Sequence, residues 1–131
     1  QQYCIIKNMA MQLNKSTEVI MCPTMRETDG LAMSSRNRLL SEEQRSKAPL
    51  LYKSLKNAAQ QSKAKSVTDL LLQIKEELTL AEDIKLDYIE IADVNTLKPI
   101  DDWETRTKAQ VFIAAFLGEV RLIDNITLYR N

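Results

Sequence analysis

The sequence contains no histidine, the side chain most often used as a general base and the commonest metal ligand. It has only two glycines, Gly30 and Gly118, where average usage over this length would place about nine. A glycine-rich phosphate cradle of the P-loop or dinucleotide-binding type is thereby excluded. Each remaining glycine is expected to mark a tight turn or a positive φ. The two cysteines, Cys4 and Cys22, have neither metal-type spacing nor a disulfide framework around them, which suits a reducing, cytoplasmic setting. No apolar run approaches the roughly 18 residues of a membrane span, and no charged-then-apolar leader opens the chain. The first residue is not Met, and the chain is expected to be a soluble piece of a longer protein. Net charge is also absent, with 18 Lys+Arg against 18 Asp+Glu, so the whole chain offers no field for nucleic acid or an anionic membrane.

What is present is a globular balance. The 131 residues are 44% hydrophobic and 27% charged, enough for one compact domain, or one and a fragment. The charges are unevenly placed: residues 36–65 hold eight basic and two acidic side chains, residues 69–104 three basic and eleven acidic. Solvated helix faces explain most such runs, although a basic stretch beside a loop also suits a polyanionic small ligand.

Periodicity divides the chain into three parts. Tyr3, Ile6, Met9 (or Ala10) and Leu13 recur at helical spacing, and the run Glu18-Val19-Ile20-Met21-Cys22, stopped by Pro23, reads as a buried strand. This pair is the expected remnant of a parallel sheet. Residues 24–40 follow neither a helical nor an alternating period and form a long loop with turn chemistry at Asp29-Gly30. Ser41 then caps a helix whose stripe is Ala48, Leu51, Tyr52, Leu55 and Ala59, with Pro49 either kinking it or marking its true first turn. Ser66 caps a second helix with Val67, Leu70, Leu71, Ile74 and Leu78 inward. The last third alternates: Leu86–Asp93 in one strand, Val111 to Leu117 in another, then Gly118-Glu119 turning into Arg121–Asp124. The expected fold is α+β, a small antiparallel sheet with two helices on one face. Trp103 is expected to cover the sheet's edge.

The loop carries the chemistry. Arg26 to Asn37 combines hydroxyls, guanidinium groups and a tight turn, a set that suits a polyphosphate. Arg36 offers a planar fork of donors to phosphate oxygens, and Ser34 and Ser35 add hydroxyls. Asp29 is expected to be a turn residue, not a metal ligand. As bare composition, Ser-Ser-Arg-Asn is more often an ordinary capped turn than a site.

The run from Pro23 to Asn37, with Asp29-Gly30-Leu31-Ala32-Met33-Ser34-Ser35-Arg36-Asn37 at its centre, closely resembles the pantothenate synthetase (pantoate–β-alanine ligase) family. Gln1-Gln2 looks like the end of that family's Gly-x-Lys-Asp-x-Gln-Gln signature. Ser41-Glu42-Glu43-Gln44-Arg45 and Arg121-Leu122-Ile123-Asp124-Asn125 also fit its C-terminal domain. The resemblance implies a nucleotidyltransferase-type enzyme of coenzyme A biosynthesis. In that family, pantoate carboxylate attacks the α-phosphate of ATP, and β-alanine then displaces AMP from the pantoyl adenylate. By the same resemblance, Met33, Ser34, Ser35 and Arg36 match the family's lid-like Lys-Met-Ser-Lys-Ser-type ATP loop, with Ser34, Ser35 and Arg36 in catalytic roles. Met25 matches a nucleotide contact, and Gln2 matches the glutamine that binds pantoate. Residues 1–23 would end the Rossmann-like nucleotide-binding domain, 24–40 form the ATP loop and 41–131 the C-terminal α+β domain. Mg²⁺ is implied as well, ligated mainly outside this chain.

The departure from the family is large, because its histidine-containing ATP motif and the Lys-Asp of its signature are absent here. The chain therefore looks like the C-terminal portion, a partner to the missing N-terminal domain. Alone, it is expected to bind ATP weakly without turnover. Two alternatives stay open: a non-catalytic binding or assembly module, and an adenylate-forming ligase for another small acid. A homodimer is also left open by these residues.

Overall fold

Alternating apolar residues in the last third of the chain build a three-stranded antiparallel meander, in the order β1 (Ile84–Asp93), β2 (Lys108–Leu117), β3 (Val120–Tyr129). The computed structural model describes residues 1–130. In the central strand, Ala109, Val111, Ile113, Ala115 and Leu117 point to one face, where their β3 partners are Leu128, Ile126, Asp124, Leu122 and Val120. A bulge between Leu86 and Tyr88 resets the alternation in β1. Leu86, Ile89 and Ile91 thereby share the inner face opposite Ala115, Ile113 and Val111, and Tyr88 turns to the outer face. Gly118 makes the β2–β3 turn at φ +59°, in the left-handed region that glycine enters without strain.

Two helices cover the inner face. α2 (Glu42–Lys47) is a single capped turn and a half, started by a reciprocal capping box between Ser41 and Gln44. Pro49 does not kink a continuous helix. It precedes a second one, α3 (Leu50–Gln61), where its fixed φ and missing N–H are tolerated. Leu51, Leu55 and Ala58 of α3 are buried against β3, whereas Tyr52 and Ala59 lie at the flanks of the stripe. Ser66 caps α4 (Val67–Thr79), accepting from the backbone N–H of Asp69, and Val67, Leu70, Ile74 and Leu78 go inward beside α3 and β1. Leu71 is only partly buried. The expected α+β sheet with two helices on one face is thus present.

Trp103 departs from the expected edge position. It is 2% exposed within the core cluster, and its Nε1 donates to the Lys65 carbonyl in the α3–α4 connection. A lone indole between acidic loop residues can still be core when its N–H finds a backbone acceptor. The turn before it is set by Asp93, whose Oδ1 accepts from the N–H groups of Asn95 and Thr96 and from the Thr96 hydroxyl.

The N-terminal segment differs more. α1 (Gln2–Gln12) forms as the spacing predicts, but none of its residues is buried. Ile5, Ile6 and Met9 are exposed, and Cys4 Sγ reaches the Val94 carbonyl at 3.7 Å. The strand expected at Glu18–Cys22 is not formed: Ile20 and Met21 are exposed and no ladder includes them. An apolar run becomes a strand only when another strand supplies its hydrogen bonds, and none among the described residues lies beside it.

Trp103→Ala removes a fully packed indole and is expected to destabilise the domain by about 3–5 kcal/mol. Urea titration is the check, with a lower midpoint at unchanged slope. A second expectation concerns acid. The Thr96 N–H chiefly holds the Asp93 carboxyl below its ordinary value of 3.8; slight burial opposes this, while Asn95, the Thr96 hydroxyl and Arg106 reinforce it. A depressed folded value means that ionised Asp93 favours the fold above the unfolded pKa, and that this contribution disappears as pH falls through the folded value. Asp93→Asn should therefore flatten the loss of stability between about pH 5 and pH 2, read from urea midpoints across that range.

Candidate functional site

The segment without period forms a hairpin through its own backbone bonds. Met33 N–H donates to the Met25 carbonyl at 2.9 Å and Glu27 N–H to the Leu31 carbonyl at 2.8 Å, making a narrow hairpin over residues 25–33. Asp29 Oδ1 accepts from Leu31 N–H at 3.1 Å, the expected turn role. Gly30 sits at φ +95°, and a Cβ there would lie 2.6 Å from Tyr52 Cδ1. Both the backbone angle and the ring exclude a side chain at this position. Leu31 is buried in the core, so the hairpin tip is packed down onto the domain.

After the hairpin, Ser34 caps a 3-10 helix, Ser35–Leu39, its Oγ accepting from the Arg36 N–H at 3.2 Å. Asn37 Nδ2 donates back to the Ala32 carbonyl at 3.0 Å, tying the helix to the hairpin. Asn37 Oδ1 is buried without a hydrogen-bond partner among the described residues.

Arg26 anchors the assembly. Its Nη1 and Nη2 donate to Asp124 Oδ2 and Oδ1 at 2.7 and 2.9 Å, a bidentate pair. The same nitrogens reach the Gly30 and Asn125 carbonyls at 3.0 and 3.3 Å. The guanidinium lies 3.6 Å from the centroid of the Tyr52 ring, stacked on it. A second tie joins Arg45 of α2 to Asp29 at 2.6 Å, and this hydrogen bond is the main reason the Asp29 carboxyl lies below its ordinary value.

These ties place the residues singled out in the sequence. Gln2, Met33, Ser34 and Arg36 line one cleft of about 530 Å³, between the start of α1, the hairpin and the outer face of the sheet at Tyr88 and Phe112. Ser35 lies on the other side, with Ser34, Arg38 and Arg45 around a shallower hollow. Met25 lines neither, but its carbonyl holds Met33. The Arg36 side chain has no hydrogen-bond or ion-pair partner among the described residues, whereas that of Arg26 is engaged on every side.

Among the described residues, no group of three or more His, Cys, Asp or Glu side chains could hold a metal ion. With Asp29 engaged by Arg45, these residues do not fit a Mg²⁺ site. Asp124 and Tyr52 are the residues that sequence reasoning left without a role. The signal for Asp124 was available: it falls in the inward register Val120, Leu122, Asp124, Ile126, Leu128, where a carboxylate needs a buried cation.

Known proteins match this chain along nearly its whole length. The profile of the Pantoate-beta-alanine ligase family matches residues 1–127. Pantothenate synthetase of Rhodopseudomonas palustris is 45% identical over 128 residues, covering 98% of this chain and 45% of the relative. That of Clostridioides difficile is 44% identical over 135 residues, covering 100% and 46%. The crystal structure of the Thermus thermophilus enzyme superposes with a TM-score of 0.88 at 38% identity, over 95% of this chain and 45% of that one. The ligase from Francisella tularensis, complexed with beta-gamma ATP and beta-alanine, superposes with a TM-score of 0.60 at 29% identity, over 95% and 39%. The chain thus spans a little under half the length of the curated relatives it matches. No helix is long and apolar enough to cross a membrane among the described residues. By the match along nearly its whole length, the chain belongs to the pantoate–β-alanine ligase family.

Proposed function

We propose that this chain is the C-terminal portion of an ATP-dependent ligase that joins pantoate to β-alanine through a pantoyl adenylate, and that it supplies the nucleotide loop. The observation that carries the reading is Arg36: an unpaired guanidinium beside Ser34, at a cleft also lined by Gln2, on a backbone fixed by the hairpin. Residues 1–23 would then close the nucleotide-binding domain, and residues 18–22 would find there the neighbouring strand they lack here. Residues 24–40 form the ATP loop and 41–131 the domain that carries it.

The chemistry asks for donors. When the pantoate carboxylate attacks the α-phosphate, the bond to the β,γ-diphosphate breaks and negative charge gathers on the departing oxygens. Arg36 presents its fork to those oxygens with the Ser34 hydroxyl beside it, and the Ser35 hydroxyl faces the adjoining hollow. Ser34 Oγ already accepts from the Arg36 N–H, so its proton is free to point at the ligand. Met33 borders the nucleotide, Met25 supports it through the carbonyl that holds Met33, and the Gln2 amide orients pantoate. Among the described residues no carboxylate cluster could hold Mg²⁺. The beta-gamma ATP and beta-alanine bound by the Francisella relative are of the classes this reading requires.

The full-length protein is expected to release pyrophosphate from ATP only when pantoate is present, and to release AMP once β-alanine is added. Folded protein that releases none would overturn the substrate assignment. In the same assay, Arg36→Ala should lower the rate of pyrophosphate release by about 10²–10³, the range for losing one transition-state donor. An unchanged rate would remove Arg36 from the site.

A further inference from the structure

One arginine lies in the hairpin and another just after it, and the structure uses them in opposite ways. Arg36 is unpaired at the cleft, while all four terminal N–H directions of Arg26 are taken by Asp124, Gly30 and Asn125, with its face on Tyr52. Arg26 therefore has no terminal donor left for a phosphate. Its side chain is 18% exposed and that of Asp124 only 3%.

We infer that Arg26, clamped between Asp124 and Tyr52, is a positioning residue that fixes Ser34, Ser35 and Arg36 for the nucleotide. This rests on the ligase reading above and adds to it a role for three residues that do not belong to the ATP loop's own donor set.

The connection is continuous. Arg26 is bridged to Ala32 across the hairpin, and Met25 next to it holds Met33 at 2.9 Å. Ala32 holds Asn37 at 3.0 Å, and Asn37 N–H donates to the Ser34 carbonyl at 3.1 Å. Each link is a short backbone bond or a single amide, so a shift at Arg26 reaches Ser34 with little slack. On the other side, Asp124 sits in β3, and Tyr52 in α3 stacks on Arg26 while filling the space over Gly30. The hairpin is thus registered against both layers of the domain. Lysine cannot substitute at such a site, because one ammonium cannot present the parallel fork or the flat face that Tyr52 meets.

The test uses the full-length protein and pantoate-dependent pyrophosphate release. Arg26→Lys should lower kcat/KM for ATP by about ten- to a hundredfold, the scale on which a small misplacement of a reacting group is felt. The KM for β-alanine should stay within about twofold of the parent's, because the loop bears on the nucleotide step. Tyr52→Leu, which removes the stack from the other side, should shift the same ratio in the same direction. Arg36→Ala is run alongside. If Arg36→Ala impairs ATP use and both clamp variants stay within about twofold of the parent, the clamp is overturned and the ligase reading stands. Losses equal for every substrate and proportional to the folded fraction, read by circular dichroism, also overturn it, since they describe support of the fold alone. If pyrophosphate is released normally by Arg36→Ala itself, the loop assignment fails and the clamp's proposed purpose fails with it.

Discussion

Asp124 is the residue on which the arrangement turns. It occupies an inward position of β3, between Leu122 and Ile126, where every neighbour in register is apolar. A carboxylate there loses its hydration and must be answered by a cation with good geometry, or it becomes a large penalty. The answer comes from Arg26, far away in sequence, and accepting it fixes a segment that would otherwise be a surface loop. Such a pair is weak evidence for net stability, since an apolar pair of similar volume is often as stable or more so. What it provides is register: of the ways to lay residues 25–33 on the domain, only one brings the guanidinium fork onto both carboxylate oxygens and under the Tyr52 ring.

The even total charge conceals a division that the fold resolves unevenly. Much of the basic block of residues 36–65 and the acidic block of 69–104 face each other or the solvent. Lys47 of α2 pairs with Asp83 just beyond α4, and these carboxylates, Asp83 first and then Glu43, raise its pKa above the ordinary lysine value. Asn57 of α3 donates to Glu77 of α4 at 3.1 Å. These contacts are exposed or half-exposed and contribute little each. The same block leaves Arg36 and Arg38 with no carboxylate partner among the described residues, at the borders of the two hollows. Solvated helix faces therefore account for most of the block, since Lys53, Lys56 and Lys63 of α3 and the turn after it also lack a carboxylate partner among the described residues.

Much of the fold was legible because it is local. Ser41 and Ser66 before apolar stripes, alternation in residues 109–117 and Gly118 after it each specify an element through nearby chain. What was not legible depends on distant partners. The bulge that sends Tyr88 outward is set by pairing with β2, Trp103 is core because Lys65 offers it a carbonyl, and Glu18–Cys22 stays unpaired because no strand among the described residues adjoins it. The site divides in the same way. The proposed donors, Ser34, Ser35 and Arg36, stand in one run, and their proposal rests on that run. The hairpin that orders them could not be read from it, because residues 25–33 contain neither period and their order comes from one buried carboxylate about a hundred positions later.

The hairpin's attachment also constrains how such donors can work. A guanidinium at the mouth of an open cleft is screened by water, where charge interactions are worth about a kcal/mol at contact distance. Catalytic donors become strong only when they are oriented beforehand and water is excluded around them. The clamp supplies the first condition within this chain: Gly30 cannot move away from Tyr52 without breaking the Arg26 contacts, so the loop has no hinge of its own at its tip. The second condition needs a wall on the other side of the cleft, and the exposed residues Ile5, Ile6, Ile20 and Met21 are the apolar material such a wall would cover. Under the ligase reading, any approach of Arg36 to bound nucleotide is then an approach of the whole α+β unit. The Asp124 and Tyr52 contacts of Arg26 tie the loop to β3 and α3, so under that reading the geometry set by Asp124 is kept wherever the unit sits.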